Sequence, residues 1–215
     1  MGKTEQRQRD KARAVANADE RRRVVLRVLQ GCDEAGANKL AHLATTGVVP
    51  SCSAGCSHCC RLEIPVSRPE AEVLVAWLTE HRTPDELDAI RAKLRAWLAW
   101  YRTELPKLAM DRADAFARLA PKCALLGPDG RCGAYEVRPV TCRNHFVSSP
   151  VSECDPATTT REPTAMLAVA QATYDHVVEI RRTIERQGGN YMASVHQLPE
   201  WLVHLLGVET EPWSR

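Results

Sequence analysis

Apolar residues recur at helical spacing along most of the chain. From Lys3 to about Gln30 the sequence reads as one charged helix that gains an apolar side late. Val25, Val28 and Leu29 stand at i, i+3 and i+4. Gly31 is expected to stop it, and a short second helix is expected over Glu34–Ala44, ending at Thr45-Thr46-Gly47. Ser67-Arg68-Pro69-Glu70 and Thr83-Pro84-Asp85-Glu86 have capping-box form. The first should open a helix with Leu74, Trp77, Leu78 and His81 on one side. The second opens a longer one, striped by Leu87, Ile90, Leu94, Trp97, Leu98 and Tyr101.

Leu108–Leu119 reads as another helix, closed by Pro121. Two short arms around Gly127-Pro128-Asp129-Gly130 make the best hairpin candidate. Pro150 to Pro163 reads as polar loop. Met166, Val169, Ala170, Thr173, Val177, Ile180 and Ile184 mark a long amphipathic helix, and Leu198–Leu206 a last short one. The expected fold is mainly α: a helical domain with a small Cys-rich hairpin and loop region organised around a metal centre. The tryptophans lie mostly on helical stripes and read as core. The expected divisions are a charged helix over 1–30, one domain over 31–207 and a polar tail over 208–215.

Length and composition narrow the class. At 215 residues, 44% hydrophobic and 26% charged, the chain can bury a core without staples. No run of 18 apolar residues suggests a membrane span. The arginine-rich start has no apolar core of a secretory signal, so a cytoplasmic location is expected. Residues 1–30 carry nine Lys/Arg against four Asp/Glu, a net of +5, leaving −3 for the remainder. That basic helix is expected to dock a protein partner rather than nucleic acid, because no groove-reading motif accompanies it.

Cysteine is the outlier, with nine in the chain. An odd number cannot pair internally, and a cysteine cluster without an export signal favours metal or redox chemistry over disulfides. Seven fall into two groups: Cys52, Cys56, Cys59 and Cys60, then Cys123, Cys132 and Cys142. As a helix the first group would occupy an arc of about 100° on one face. As a loop, Gly55 would let the sulfurs converge. Thiolates are soft ligands for zinc or iron–sulfur clusters. Cys32 and Cys154 lie outside both groups and are expected to be dispensable. The spacing of Cys52, Cys56 and Cys59 equals that of radical-SAM enzymes, but helix after helix follows instead of the alternating strands those need.

These residues resemble the YkgJ-type, or CxxCxxCC, family of zinc- or iron-chelating proteins. The resemblance rests on Gly55-Cys56-Ser57-His58-Cys59-Cys60, the Ser67-Arg68-Pro69-Glu70-Ala71 helix start, Cys123 to Gly130-Arg131-Cys132, and Tyr135-Glu136-Val137-Arg138-Pro139-Val140-Thr141-Cys142-Arg143. It spans about residues 48–148. One departure is visible: three residues, not two, separate Cys52 from Cys56. The resemblance implies metal chelation, with zinc or iron as the cofactor, an iron–sulfur cluster included. Some relatives look like flagellin lysine methylases, which makes a redox or group-transfer enzyme the alternative. No nucleophile–base pair or phosphate-binding loop supports it.

The signature also reads physically. Arg138-Pro139 fixes the approach to Cys142. Arg138 and Arg143 can offset thiolate charge, since four thiolates on one Zn²⁺ leave a net of −2. His58 and His145 could complete a mixed site but are expected to be solvated or hydrogen-bonded. Tyr135 is expected to pack beneath the hairpin.

Overall fold

A computed structural model describes residues 3–155 and 169–209. The first element, α1 (Lys3–Ala44), is a single helix of 42 residues, about 63 Å long at 1.5 Å per residue. It does not stop at Gly31. A Cβ there would lie 2.5 Å from the His176 ring, so this glycine serves a close helix crossing. The stop is Gly47, at φ +80°, as Thr45-Thr46-Gly47 implies. Residues 3–16 are exposed throughout, and the buried stripe begins at Val24 and runs through Val25, Val28, Leu29 and Cys32.

Around that stripe pack α2 (Arg68–His81), α5 (Val140–Asn144), α6 (Val169–Ala172) and α7 (Tyr174–Arg186). The expected long helix over 166–184 is broken at Thr173. Its hydroxyl accepts from Asn144 Nδ2 at 2.7 Å and donates to the Ala170 carbonyl at 3.0 Å. Met166 lies outside the described residues. Both foreseen capping boxes form: Glu70 on Ser67, and Glu86 on Thr83 at the start of α3 (Pro84–Ala99). After α3 the chain widens into one π turn at Trp100–Glu104 before α4 (Arg112–Leu119). The helix foreseen from Leu108 thus begins four residues later, because Asp111 caps it through the Ala113 and Asp114 amides. Trp97, Phe116 and Ala120 form a separate small core there.

The sheet was not foreseen. Strands β1 (Pro65–Ser67) and β2 (Val195–Gln197) pair antiparallel, with Val66 opposite His196. Each runs directly into a helix with Pro at its second position and Glu at its third: Ser67-Arg68-Pro69-Glu70 into α2, and Gln197-Leu198-Pro199-Glu200 into α8 (Leu198–Leu205). The two helices pack together, and Trp201 Nε1 donates to the Val66 carbonyl at 3.2 Å. The expected hairpin is reduced to a single antiparallel bridge, Leu126 to Cys132, around its turn. No described helix is long and apolar enough to cross a membrane.

Candidate metal centre

Four short segments bring the cysteines together. The first, residues 51–61, is a loop ending in a 3₁₀ turn (His58–Arg61), so the loop alternative holds over the helical one. Ser51 fastens its start: its N–H and hydroxyl both reach the Val147 carbonyl, at 2.9 and 3.1 Å, and the hydroxyl also contacts the Ser149 carbonyl. At its tip, Gly55 (φ +90°) lies on Gly130 (φ +77°) of the second segment. A Cβ on Gly130 would stand 2.7 Å from the Gly55 carbonyl oxygen. Only glycine permits that approach at that φ. At its end, the Cys60 carbonyl accepts from the Cys123 N–H at 2.8 Å.

The second segment, Cys123 to Gly133, is a tight reversal. Gly127 N–H donates to the Arg131 carbonyl at 2.8 Å, and Gly133 N–H to that of Leu125 at 2.7 Å. The backbone N–H groups of Leu125 and Ala134 each donate to the sulfur two residues before, on Cys123 and Cys132. Such donors favour the thiolate.

The third is α5, which carries Cys142. The fourth is the 3₁₀ turn Val151–Cys154, which follows Ser149 and so is drawn toward Ser51.

All nine cysteines are free thiols. Burial, then the neighbouring sulfurs of Cys123, Cys132 and Cys59, pushes the Cys142 thiol far above the ordinary range. Burial, with Cys132 and Cys59 alongside, raises Cys123 to about 11. Cys59 is raised first by a hydrogen bond with the Cys60 thiol, then by burial. Cys52 is raised by burial, with Cys56 and Cys59 beside it. Cys59 is the shared neighbour of both groups.

Cys154 was missed. Burial raises it, and Cys56, Cys52 and Cys59 add to the shift. It sits in a polar stretch with no spacing to advertise it, and the Ser51 bonds to 147–149 bring it in. Cys32 is different: it is buried in the core under α1, and desolvation raises it to about 11.

The two arginines part company. Arg138 faces Cys59, Cys132 and Cys142, where its charge opposes their upward shifts. Its Nε is buried with no hydrogen-bond partner. Tyr135 does not pack beneath the turn; it is 58% exposed and covers the Arg138 guanidinium at 3.9 Å. Buried Arg143 instead donates to the carbonyls of Arg138 and Glu136 and to Asp33 of α1. A further cation, Arg82, approaches Cys132 and donates to the Gly133 carbonyl. His145 is held below the usual imidazole range by burial.

The donor set suits a thiophilic metal: soft sulfurs, backbone amides aimed at two of them, and a buried guanidinium N–H without an acceptor. Among the described residues, however, no three His, Cys, Asp or Glu side chains are posed as a ready-made coordination shell. The gathered cysteines stand as neighbouring free thiols.

The profile of the CxxCxxCC family, described as "Putative zinc- or iron-chelating domain", matches residues 51–167. This chain belongs to that family. The match covers all the gathered cysteines and extends past Cys142 to include Cys154. No curated protein and no solved structure matches the chain.

Proposed function

We propose that this CxxCxxCC protein holds zinc or iron, an iron–sulfur centre included, through thiolates drawn from Cys52, Cys56, Cys59, Cys60, Cys123, Cys132, Cys142 and Cys154. The observation that carries the reading is the position of Cys59, which neighbours Cys52, Cys154, Cys123 and Cys142 while bonding Cys60. The metal would supply a cross-link between segments that otherwise meet through backbone bonds and a few polar side-chain contacts, such as Lys122 Nζ to Ser57 Oγ at 3.1 Å. Arg138, with its unpartnered Nε, would offset the charge of the thiolates. Free thiols in this number belong to a reducing compartment, which supports a cytoplasmic setting.

Because structural metal binding is coupled to folding, Cys56→Ser or Cys59→Ser should lower bound metal and helicity together, with Cys59→Ser the more damaging. Unchanged metal content in both variants contradicts the assignment.

The basic start of α1 supports the docking reading through charge and exposure alone. A truncation testing it has to stop near Ala16, because Val24 to Leu29 belong to the core. Removing residues 1–16 should leave metal content intact and abolish binding to an acidic partner.

A further inference from the structure

We infer that Glu70 is a positioning residue for the metal centre, setting the place of Cys142 through the first turn of α5. The inference rests on the metal reading above. Glu70 is 8% exposed, an unusual place for a carboxylate. One of its oxygens completes the capping box, accepting from Ser67 N–H at 2.9 Å and Ser67 Oγ at 2.7 Å. A capping box needs no more than that. The other oxygen accepts from the Val140 N–H at 3.1 Å, 70 residues further on.

Val140 is the first residue of α5, and Cys142 stands two residues later. A five-residue helix has no stability of its own, so its position is set by what holds its ends. Glu70 holds the start to α2. Arg143 and Asn144 hold the finish, to Asp33 of α1 and to Thr173. The Thr141 hydroxyl adds a bond to the Pro65 carbonyl at 2.9 Å. Among these, Glu70 alone makes a bond to backbone within α5, so it fixes the path of the chain rather than the rotamer of one side chain.

Cobalt(II) titration of the full chain, followed through the sulfur-to-cobalt charge-transfer band, tests this. In Glu70→Gln the amide cannot accept through its nitrogen, so either the two Ser67 donors or the Val140 N–H lose their acceptor. The band should lose about one thiolate's share, and affinity should fall about ten- to hundredfold, as for other groups that orient ligands. Val140→Pro removes the N–H alone, at a first-turn position where proline is tolerated, and should reproduce the change with the capping box intact. In a Cys142→Ser background, Glu70→Gln should add nothing.

Destabilised variants with an unaltered cobalt spectrum and affinity make Glu70 a helix cap only and overturn the inference. So does a full additional loss in the Cys142→Ser background. A wild-type chain that takes up no cobalt overturns the metal reading itself, and this inference with it.

Discussion

The backbone N–H of Cys123 donates to the carbonyl of Cys60 at 2.8 Å, joining the two cysteine groups directly across 63 residues of chain. The join is between main chains, so it depends on backbone path rather than on any one side chain. A second backbone meeting, Gly130 against Gly55, closes the other end of the loop. Thiols on both segments are thereby held as neighbours before any bond to a metal.

Gly130 is therefore the sharpest test of loop closure. Gly130→Ala places a Cβ 2.7 Å from a carbonyl oxygen at φ +77°. Gly207→Ala, at φ +66° with open space around it, bears only the backbone cost of about 1–2 kcal/mol. Gly130→Ala should lower the denaturation midpoint clearly more than Gly207→Ala and should weaken metal binding, which Gly207→Ala leaves alone. Equal shifts in both variants would show that the glycine contact is not structural.

Cys154→Ser should reduce metal uptake, whereas Cys32→Ala should not. The former stands beside Cys52, Cys56 and Cys59; the latter lies in the apolar core under α1. Elemental analysis of the two purified variants decides the matter. Full metal content in Cys154→Ser would return that residue to the periphery where spacing alone had placed it.

Desolvation raises Cys32 to about 11 from an ordinary 9.0. The folded state thus binds this proton more tightly than the unfolded state does. The resulting stability is fully present below pH 9 and is lost as pH rises from 9 through about 11. Urea midpoints of wild type should fall over that window more steeply than those of Cys32→Ala, which loses packing at every pH but not this titration. Parallel curves would show that the thiol is not desolvated as described.

Local chemistry was the most legible part of the sequence. The capping boxes at Ser67 and Thr83 and the glycine stop at Gly47 need only neighbouring residues, and they form as their spacing implies. Gly31 misled because its reason is tertiary: the glycine makes room for His176. The β1–β2 pair was hidden because three-residue strands are too short for alternation and lie 130 residues apart. The two cysteine groups were visible as clusters. Cys154 and Arg82 were not, since each reaches the thiols through contacts between distant segments. Glu70 was read as a cap, and its second bond, to Val140, leaves no trace in local sequence.

The central claim is that these thiols hold a metal. Its most direct test is anaerobic purification of the intact chain, with zinc, iron and acid-labile sulfide measured on the sample that gives the absorption spectrum. The account predicts about one or more equivalents of zinc in a colourless protein, or iron in a coloured one. Absorption at about 400 nm with sulfide would identify a cluster and strengthen the redox alternative. A folded chain with no metal, and with every thiol except that of core-buried Cys32 reactive toward a thiol reagent, would contradict it.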